Sequence, residues 1–511
     1  MYKNIFFDLD GTLYDIDTKE FLRIYYYELE KKFQKLGIMN STSLVDNGIK
    51  AMYDNDGSKS NYDAFWESIN QKDFEHLLYD FYINEFHKCK NAMEPIGRTR
   101  NMILNLKKKG YRLFLLTNPL FPQIATYERI RHIGLYPSLF EYITTYENSR
   151  YTKPNLSYYQ DVLDKFNLDP KETLMVGNDC MEDMCSMKLG IDCFLRLDSL
   201  INTQNLEINP TYKGTFNDLY KFLNKLPNLG LCYCGSGKKY ESCCMKYQMK
   251  LSEYKDKKIG IPSFDMIKNP RDIMGIRKAG EINTKVLDYV EKNISIGMTT
   301  NEINEMVYKK TLELGGIPAP LNYLGFPKSV CTSINNQVCH GIPDETILRS
   351  GDIINVDCTT IYNGYFADSS RTFMIGFVKD EVKKFVNHTK EVLDLCIKNI
   401  KPYMRFGDIG GLITKFAHDK GYSVVRECTG HGVGNKFHEE PDVNHYGRYN
   451  TGMLIAPGMV FTIEPMLNMG RKEVFVDAFN DWTIYTDDDS LSCQFEYTVL
   501  VTNEGLEILS S

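Results

Sequence analysis

The sequence predicts a mixed α/β chain: an N-terminal α/β unit built on a parallel sheet, then an α+β unit, with a cysteine-rich segment between them. Three observations predict it. Short apolar runs alternate with amphipathic helical stretches through residues 1–226. Four of the fourteen cysteines crowd into the thirteen positions from Cys232 to Cys244. Beyond residue 264, two helix signals precede a series of turn-separated, strand-like runs. The length of 511 residues corresponds to about three domains of ordinary size.

In the first part, Ile5–Asp8, Leu113–Thr117 and Thr173–Val176 read as buried strands, each followed by a polar turn and a helix-like stretch. Asn101–Lys109 is an amphipathic helix with Gly110 as its stop. Alternation of this kind puts helices on both faces of a parallel sheet. Residues 15–93 interrupt it. They carry Tyr, Phe, Lys and Glu at helical spacing with no strand signal, and are expected to form a helical insertion. Residues 227–258 form a joint, opened by Pro227 and Gly230. From 225 to 258 there are eight lysines and three acids, a local balance of +5. In the last part, 264–511, Asn269 caps a helix with Pro270 in its first turn and Ile273, Ile276, Ile282, Val286 and Val290 on one stripe. Thr299 and Glu302 have capping-box spacing for a second helix. Asp352–Val356, Met459–Ile463 and Glu496–Val501 read as strands.

Composition bounds the function. With 43% hydrophobic and 25% charged residues the chain is of ordinary globular type. Its 60 basic and 67 acidic residues leave a net charge of −7, unlike a dedicated nucleic-acid binder. No apolar run approaches the roughly 20 residues needed to span a bilayer. Asp8 and Asp10 break the apolar start too early for a signal peptide. A cytoplasmic location with no membrane partner is expected, and there cysteines serve as thiols or metal ligands.

Asp8-Leu9-Asp10-Gly11-Thr12 ends the first predicted strand, where open parallel sheets bind ligands. Thr117-Asn118 and Gly177-Asn178-Asp179 end the others, with Asp183 four residues on and Lys153 before Pro154. Carboxylates gathered at one point need a cation, and oxygen-only ligation suits Mg²⁺. A carboxylate can also act as a nucleophile toward phosphorus. These motifs closely resemble the haloacid dehalogenase (HAD) superfamily over about residues 1–226. The resemblance implies a Rossmann-like phosphohydrolase, with the insertion at 15–93 as its cap and a small phosphorylated metabolite as substrate. It makes Asp8 the nucleophile and Asp10 the general acid/base. Thr117 and Lys153 would hold the phosphoryl group, and Asp8, Asp10 and Asp179 would bind Mg²⁺, with Asp183 nearby. A HAD half that only binds or regulates is the alternative.

Cys232, Cys234, Cys243 and Cys244 offer four thiolates, the usual structural zinc set. The segment looks like the SEC-C zinc motif. That resemblance, with the +5 balance, implies zinc and raises two readings: docking near the ribosome, or a zinc staple in a solvated linker.

In the third part Asp357, Asp368, His431, Glu464 and Glu496 fall on separate elements. Four carboxylates and one imidazole suit a pair of hydrolytic divalent ions better than structural zinc. His340 lies in Cys339-His340-Gly341-Ile342-Pro343, and His438 in Phe437-His438-Glu439-Glu440-Pro441. The ordered whole closely resembles type I methionine aminopeptidases across 264–511, as does the stretch Gly325–Asn335. The resemblance implies the pita-bread (creatinase/aminopeptidase) fold, two divalent ions (Mn, Co, Fe or Zn), and nascent polypeptide N-termini as substrate. Asp357 and Glu496 would bridge the ions, Asp368 would serve one, and His431 and Glu464 the other. Glu464 would also shuttle the proton of the attacking water. His438 would meet the scissile carbonyl, and His340 the substrate amide or amine. Tyr323, Cys331, Phe437 and Trp482 would line a methionine pocket. Leu324 and Tyr497 stand where histidine is common in the family. A prolidase or proline aminopeptidase shares the five ligands and is the competing reading. A metal-free binding module of the same fold is another.

Overall fold

The apolar runs at Ile5, Leu113 and Leu174 become adjacent strands because burial on both faces leaves them no other partner. In the computed structural model, which describes residues 1–69, 72–232 and 238–511, the chain divides into two compact units, Met1–Met249 and Lys250–Ser511.

The first unit is built on a six-stranded sheet. In spatial order its strands are Tyr142–Ile143, Arg112–Leu115, Asn4–Phe7, Thr173–Gly177, Asp192–Arg196 and Tyr212–Gly214, all pairing parallel. Side chains alternate between faces. Ile5, Phe7, Leu113, Leu115, Leu174 and Val176 join one buried cluster, while Phe6, Phe114 and Met175 join another. Both faces are therefore dry, and helices cover them. The predicted helix is Thr99–Lys108, closed as expected by Gly110 at φ +88.

The insertion is helical, with Thr18–Lys35, Ser41–Tyr53, Asn61–Ile69 and Lys72–Asn84. Its lack of strand is corrected by the structure. Tyr14–Ile16 and Met93–Pro95 pair antiparallel where the insertion leaves and rejoins the sheet unit. Strands of three residues are too short for alternation to register in sequence. An aromatic cluster of Tyr25, Phe81, Tyr82, Phe86 and Phe121 packs the insertion onto the residues after the second sheet strand.

The second unit holds a nine-stranded sheet and two three-stranded ones, Gln337–Cys339 with Ile484–Thr486 and Val474–Val476, and Ser423–Val424 with Met466–Asn468 and Ser492–Gln494. The main path of the nine-stranded sheet runs Cys331–Ile334, Ile353–Tyr362, Tyr365–Met374, Glu496–Val501, Val460–Ile463, Gly430–Gly432 and Glu439–Val443. All pairings along this path are antiparallel. Helices Pro270–Asn293, Thr300–Glu313, Asp380–Asn399 and Phe406–Lys420 complete the unit. Asn269 caps the first of these, and Thr299 with Glu302 forms the capping box of the second.

One strand departs from the sequence reading. Asp357 does not end its strand, which runs on through Cys358-Thr359-Thr360-Ile361 to Tyr362. These residues favour strand, and the turn Asn363-Gly364, with φ of +47 and +76, folds the chain straight into the next ten-residue strand. Asp357 thus sits inside the sheet.

The long helix Pro270–Asn293 is pinned to the sheet by Asn283. Its amide nitrogen donates to the Cys358 carbonyl (2.7 Å) and Ser369 Oγ (2.9 Å), and its oxygen accepts from Thr360 Oγ1 (2.7 Å). Asn283→Ala strands these buried groups, and should lower the unfolding free energy of this unit by about 3 kcal/mol in urea denaturation.

Candidate functional site

Antiparallel register assembles the second unit's site. Directly opposed residues point to the same face. Asp357 is opposed by Cys331 on one side and Ser370 on the other, and Ser370 is opposed by Glu496. Asp357, Ser370 and Glu496 therefore form one row across three strands, and the short Ser370 side chain leaves space between the two acids. Asp368 stands two residues from Ser370 on the same face, opposite Thr359. Ile463 pairs with Tyr497, which sets the next residue, Glu464, beside Glu496. His431 enters from the strand Gly430–Gly432, its N–H held by Thr462 Oγ1 at 3.0 Å.

All five sequence-predicted ligands come together here. His431 Nε2 lies 3.7 Å from Asp368 Oδ2 and 3.8 Å from Glu464 Oε1. Ligand atoms of Asp368, His431 and Glu496 lie within 4.8 Å of one another. His431 Nδ1 faces the Gly432 carbonyl at 3.0 Å, so Nδ1 carries the proton and the Nε2 lone pair faces the carboxylates. Thr359 donates to Asp368 Oδ1 (2.8 Å), Thr462 to Glu464 Oε1 (2.7 Å) and Gln494 to Glu464 Oε2 (3.2 Å). The Glu464 N–H donates to His445 Nε2 at 3.1 Å. These four supporting residues escape sequence reading, since a threonine or glutamine carries no signal until the fold places it beside an acid.

The site is electrostatically incomplete as protein alone. Burial pushes the Asp357 carboxyl up to about 7. Burial and the neighbouring acids push Asp368, Glu464 and Glu496 well above the carboxylate range. Among the described residues, buried Asp357 Oδ1 and Glu496 Oε1 have no hydrogen-bond partner. Buried oxygens of this kind are costly unless something binds them. The donor set, the bare oxygens and the clustered charge all fit divalent cations.

The predicted substrate-side residues surround this cluster. The His438 ring stacks on Phe437 at 4.3 Å and lies 4.2 Å from the His431 ring. Its Nδ1 is 3.0 Å from the Tyr323 hydroxyl. Burial, with His431 and His340 nearby, pulls His438 down to about 3, so its ring is neutral. His340 follows the strand Gln337–Cys339 at φ +55, its ring 6.2 Å from that of Trp482. Cys331 borders Asp357, and burial raises its thiol.

The profile of metallopeptidase family M24 matches residues 274–503. Methionine aminopeptidase of Rickettsia prowazekii is 41% identical over 244 residues, covering 48% of this chain and 94% of the relative. The chain belongs to the methionine aminopeptidase family. Methionine aminopeptidase A of Synechocystis is 47% identical, covering 47% of this chain and 95% of the relative. For methionine aminopeptidase of Escherichia coli the figures are 43%, 48% and 93%. The M24 match lies wholly in the second half of the chain. In the first, the profile of haloacid dehalogenase-like hydrolases matches residues 5–195. The chain is thus a pita-bread metallopeptidase unit with a HAD-like hydrolase unit before it. Both families use divalent metals.

The HAD-like site lies at the carboxyl ends of the sheet strands. Lys153 Nζ is fully buried and pairs with Asp8 Oδ1 at 2.8 Å and Asp183 Oδ1 at 2.6 Å. Asp183 Oδ2 accepts the N–H groups of Asn178 and Asp179, each at 3.0 Å. Asp179 Oδ1 accepts those of Met181 (2.7 Å) and Glu182 (2.8 Å). Thr12 Oγ1 lies 3.0 Å from Asp8 Oδ2. Thr117 is buried just past the neighbouring strand, its carbonyl accepting from Thr144 Oγ1 and the Tyr158 hydroxyl. Burial pushes the Asp8 carboxyl up against the pull of Lys153. One lysine does not balance Asp8, Asp179 and Asp183, and the surplus of oxygen donors fits Mg²⁺. Asp10 is bound by Arg129 Nη1 at 2.6 Å and by the Tyr14 hydroxyl. Arg129 was not legible in sequence, 119 residues away.

In the cysteine segment, the thiols of Cys232, Cys243 and Cys244 lie within 4.8 Å of one another. Cys234 lies outside the described residues.

Lys153→Met leaves Asp8 and Asp183 buried without their counter-ion. Loss of about 3–5 kcal/mol is expected for the first unit in metal-free buffer. Thermal melts of the full chain should show excess Mg²⁺ recovering much of it. An equal loss with and without Mg²⁺ contradicts the reading of this cluster as a cation site.

Proposed function

We propose that the second unit removes the N-terminal methionine from newly made polypeptides, using two divalent ions held by Asp357, Asp368, His431, Glu464 and Glu496. The observation that carries this is the row Asp357–Ser370–Glu496, with a bare buried oxygen on each acid, beside His431, Asp368 and Glu464. Bound ions would supply an activated water and polarise the scissile carbonyl.

The chain's own residues do the rest. Glu464, positioned by Thr462, Gln494 and His445, takes the proton of the attacking water and passes it to the leaving amine. His438, kept neutral, donates a hydrogen bond to the carbonyl oxygen as negative charge develops there. Its Nδ1 faces Tyr323, so the donor is Nε2. His340 meets the substrate amide or amine. Tyr323, Cys331, Phe437 and Trp482 surround the methionine side chain, whose thioether packs well on rings and sulfur. Mn, Co, Fe and Zn all suit the donor set.

For the first unit the reading is a Mg²⁺-dependent phosphomonoester hydrolase acting on a small phosphorylated metabolite. Asp8 attacks phosphorus, Asp10 protonates the leaving oxygen, and Thr117 and Lys153 hold the phosphoryl group. Asp8, Asp10 and Asp179 hold the ion. Zinc bound by Cys232, Cys234, Cys243 and Cys244 would organise the joint, and its lysines favour docking at the ribosome, in the cytoplasm, where new N-termini emerge.

Three tests separate these assignments. With added Mn²⁺ or Co²⁺, Met-Ala peptides should be cleaved far faster than Ala-Pro or Leu-Ala peptides, and Glu464→Gln should lower kcat by at least roughly a hundredfold. A preference for Ala-Pro contradicts the methionine assignment. Asp8→Asn should abolish Mg²⁺-dependent hydrolysis of an aryl phosphate while peptide cleavage persists. Cys243→Ser should lower both zinc content and co-sedimentation with ribosomes, and equal pelleting removes the docking role.

A further inference from the structure

An aminopeptidase pocket holds only the first residue of its substrate. Everything after the scissile bond must leave across the rim of the site, so the chemistry of that rim acts on the substrate's downstream segment. Here large apolar side chains stand exposed on the loops that carry the pocket residues Tyr323 and Trp482.

Two loops form this rim, welded by the Phe326 ring against the Trp482 ring at 5.2 Å. The first is the turn at 322–326, closed by backbone hydrogen bonds from Asn322 to Phe326 (2.7 Å) and from Phe326 to Tyr323 (2.9 Å). It holds Leu324 at φ +50, an unfavourable conformation for leucine, with 69% of that residue exposed. The second is the tip of a hairpin formed by Val474–Val476 and Ile484–Thr486, which pairs in turn with the strand leading to His340. Phe479 at this tip is 100% exposed, and Val476 beside it is 53% exposed.

The tip is not loose chain. Asp477 Oδ1 accepts the Phe479 N–H (2.8 Å), Asp477 O accepts the Asp481 N–H (2.9 Å), and Asn480 Oδ1 accepts the N–H groups of Trp482 and Thr483 (both 2.9 Å). The turn that aims Trp482 at His340 therefore also holds Phe479 out in water. Phe479, three residues from Trp482, thus stands on an ordered turn with its ring wholly in water, near the further exposed apolar residues Phe475 and Val476 in the same hairpin.

We propose that Leu324, Val476 and Phe479 form an apolar exit track, which binds the residues of the unfolded polypeptide downstream of the cleaved methionine and favours apolar ones. The proposal rests on the aminopeptidase reading above and extends it from the first residue to the segment that follows. Burying one large apolar side chain there raises kcat/KM about tenfold.

The test uses the full chain with Mn²⁺ and three synthetic peptides. One is the tripeptide Met-Ala-Ser. The others extend it with Leu-Ile-Val-Leu-Lys or with Ser-Asn-Gly-Ser-Lys. The unsubstituted enzyme should cleave the apolar extension about tenfold more efficiently than the polar one. In Phe479→Ser, and more so with Leu324→Asn added, that ratio should fall toward unity while tripeptide cleavage is unchanged. Equal cleavage of the two long peptides by the unsubstituted enzyme overturns the proposal. So does a parallel loss on the tripeptide, because the tip would then act only by holding Trp482. If the unsubstituted enzyme cleaves none of the three, the aminopeptidase reading itself fails, and the track with it.

Discussion

Four carboxylates buried against one another at the centre of a sheet dominate the physics of the second unit. Like charges in a dry interior repel, and each loses the hydration it had in the unfolded chain. Such a row is relieved by taking up protons, as the raised carboxyls show, or by cations that join it. The sheet is organised to make the row possible. Register brings Asp357 and Glu496 to either side of the small Ser370. Asn283 locks the long helix onto the strands that carry the acids. Thr359, Thr462 and Gln494 donate to carboxylate oxygens of Asp368 and Glu464 and hold those side chains in place. Among the described residues, a buried oxygen of Asp357 and one of Glu496 have no hydrogen-bond partner.

The first unit meets the same problem differently. There a fully buried lysine, Lys153, bridges Asp8 and Asp183, and backbone N–H groups at the turn after the fourth sheet strand satisfy Asp183 and Asp179. Its carboxylates are partly neutralised by the protein, which suits a hydrated, weakly held Mg²⁺. In the second unit the imidazole that faces the acids, His431, is kept neutral by burial. The contrast suits the first site to a weakly held, exchangeable Mg²⁺ and the second to more tightly held divalent ions.

Much of this was legible in the sequence, for definite reasons. Candidate ligands announced themselves where a local pattern accompanied them: Asp8 at the end of an apolar run, His431 between glycines, Glu464 before Pro465. Helix starts at Asn269 and Thr299 were legible because capping is local. What could not be read depends on distant pairing. Asp357 looked like a strand end, because an acid inside a buried strand makes sense only once its neighbours across the sheet are known. Arg129 on Asp10, and His445 on the Glu464 backbone, are contacts across 119 and 19 residues with no periodicity behind them. The two short strands at the base of the insertion fell below the length at which alternation is detectable. Leu324 and Phe479 became informative only through exposure, which a sequence does not state.

The most direct test of the central constraint is ion uptake. Metal-stripped full-length protein and an Asp357→Asn, Glu496→Gln double variant should be titrated with Co²⁺ side by side, with circular dichroism confirming that both are folded. The HAD-like and cysteine sites contribute equally to both titrations and cancel in the difference. The unsubstituted chain should take up two more ions than the variant, and its second unit alone should gain thermal stability from them. Equal uptake, with a folded and equally stable second unit in both, would contradict the claim that this buried acidic row exists to hold cations.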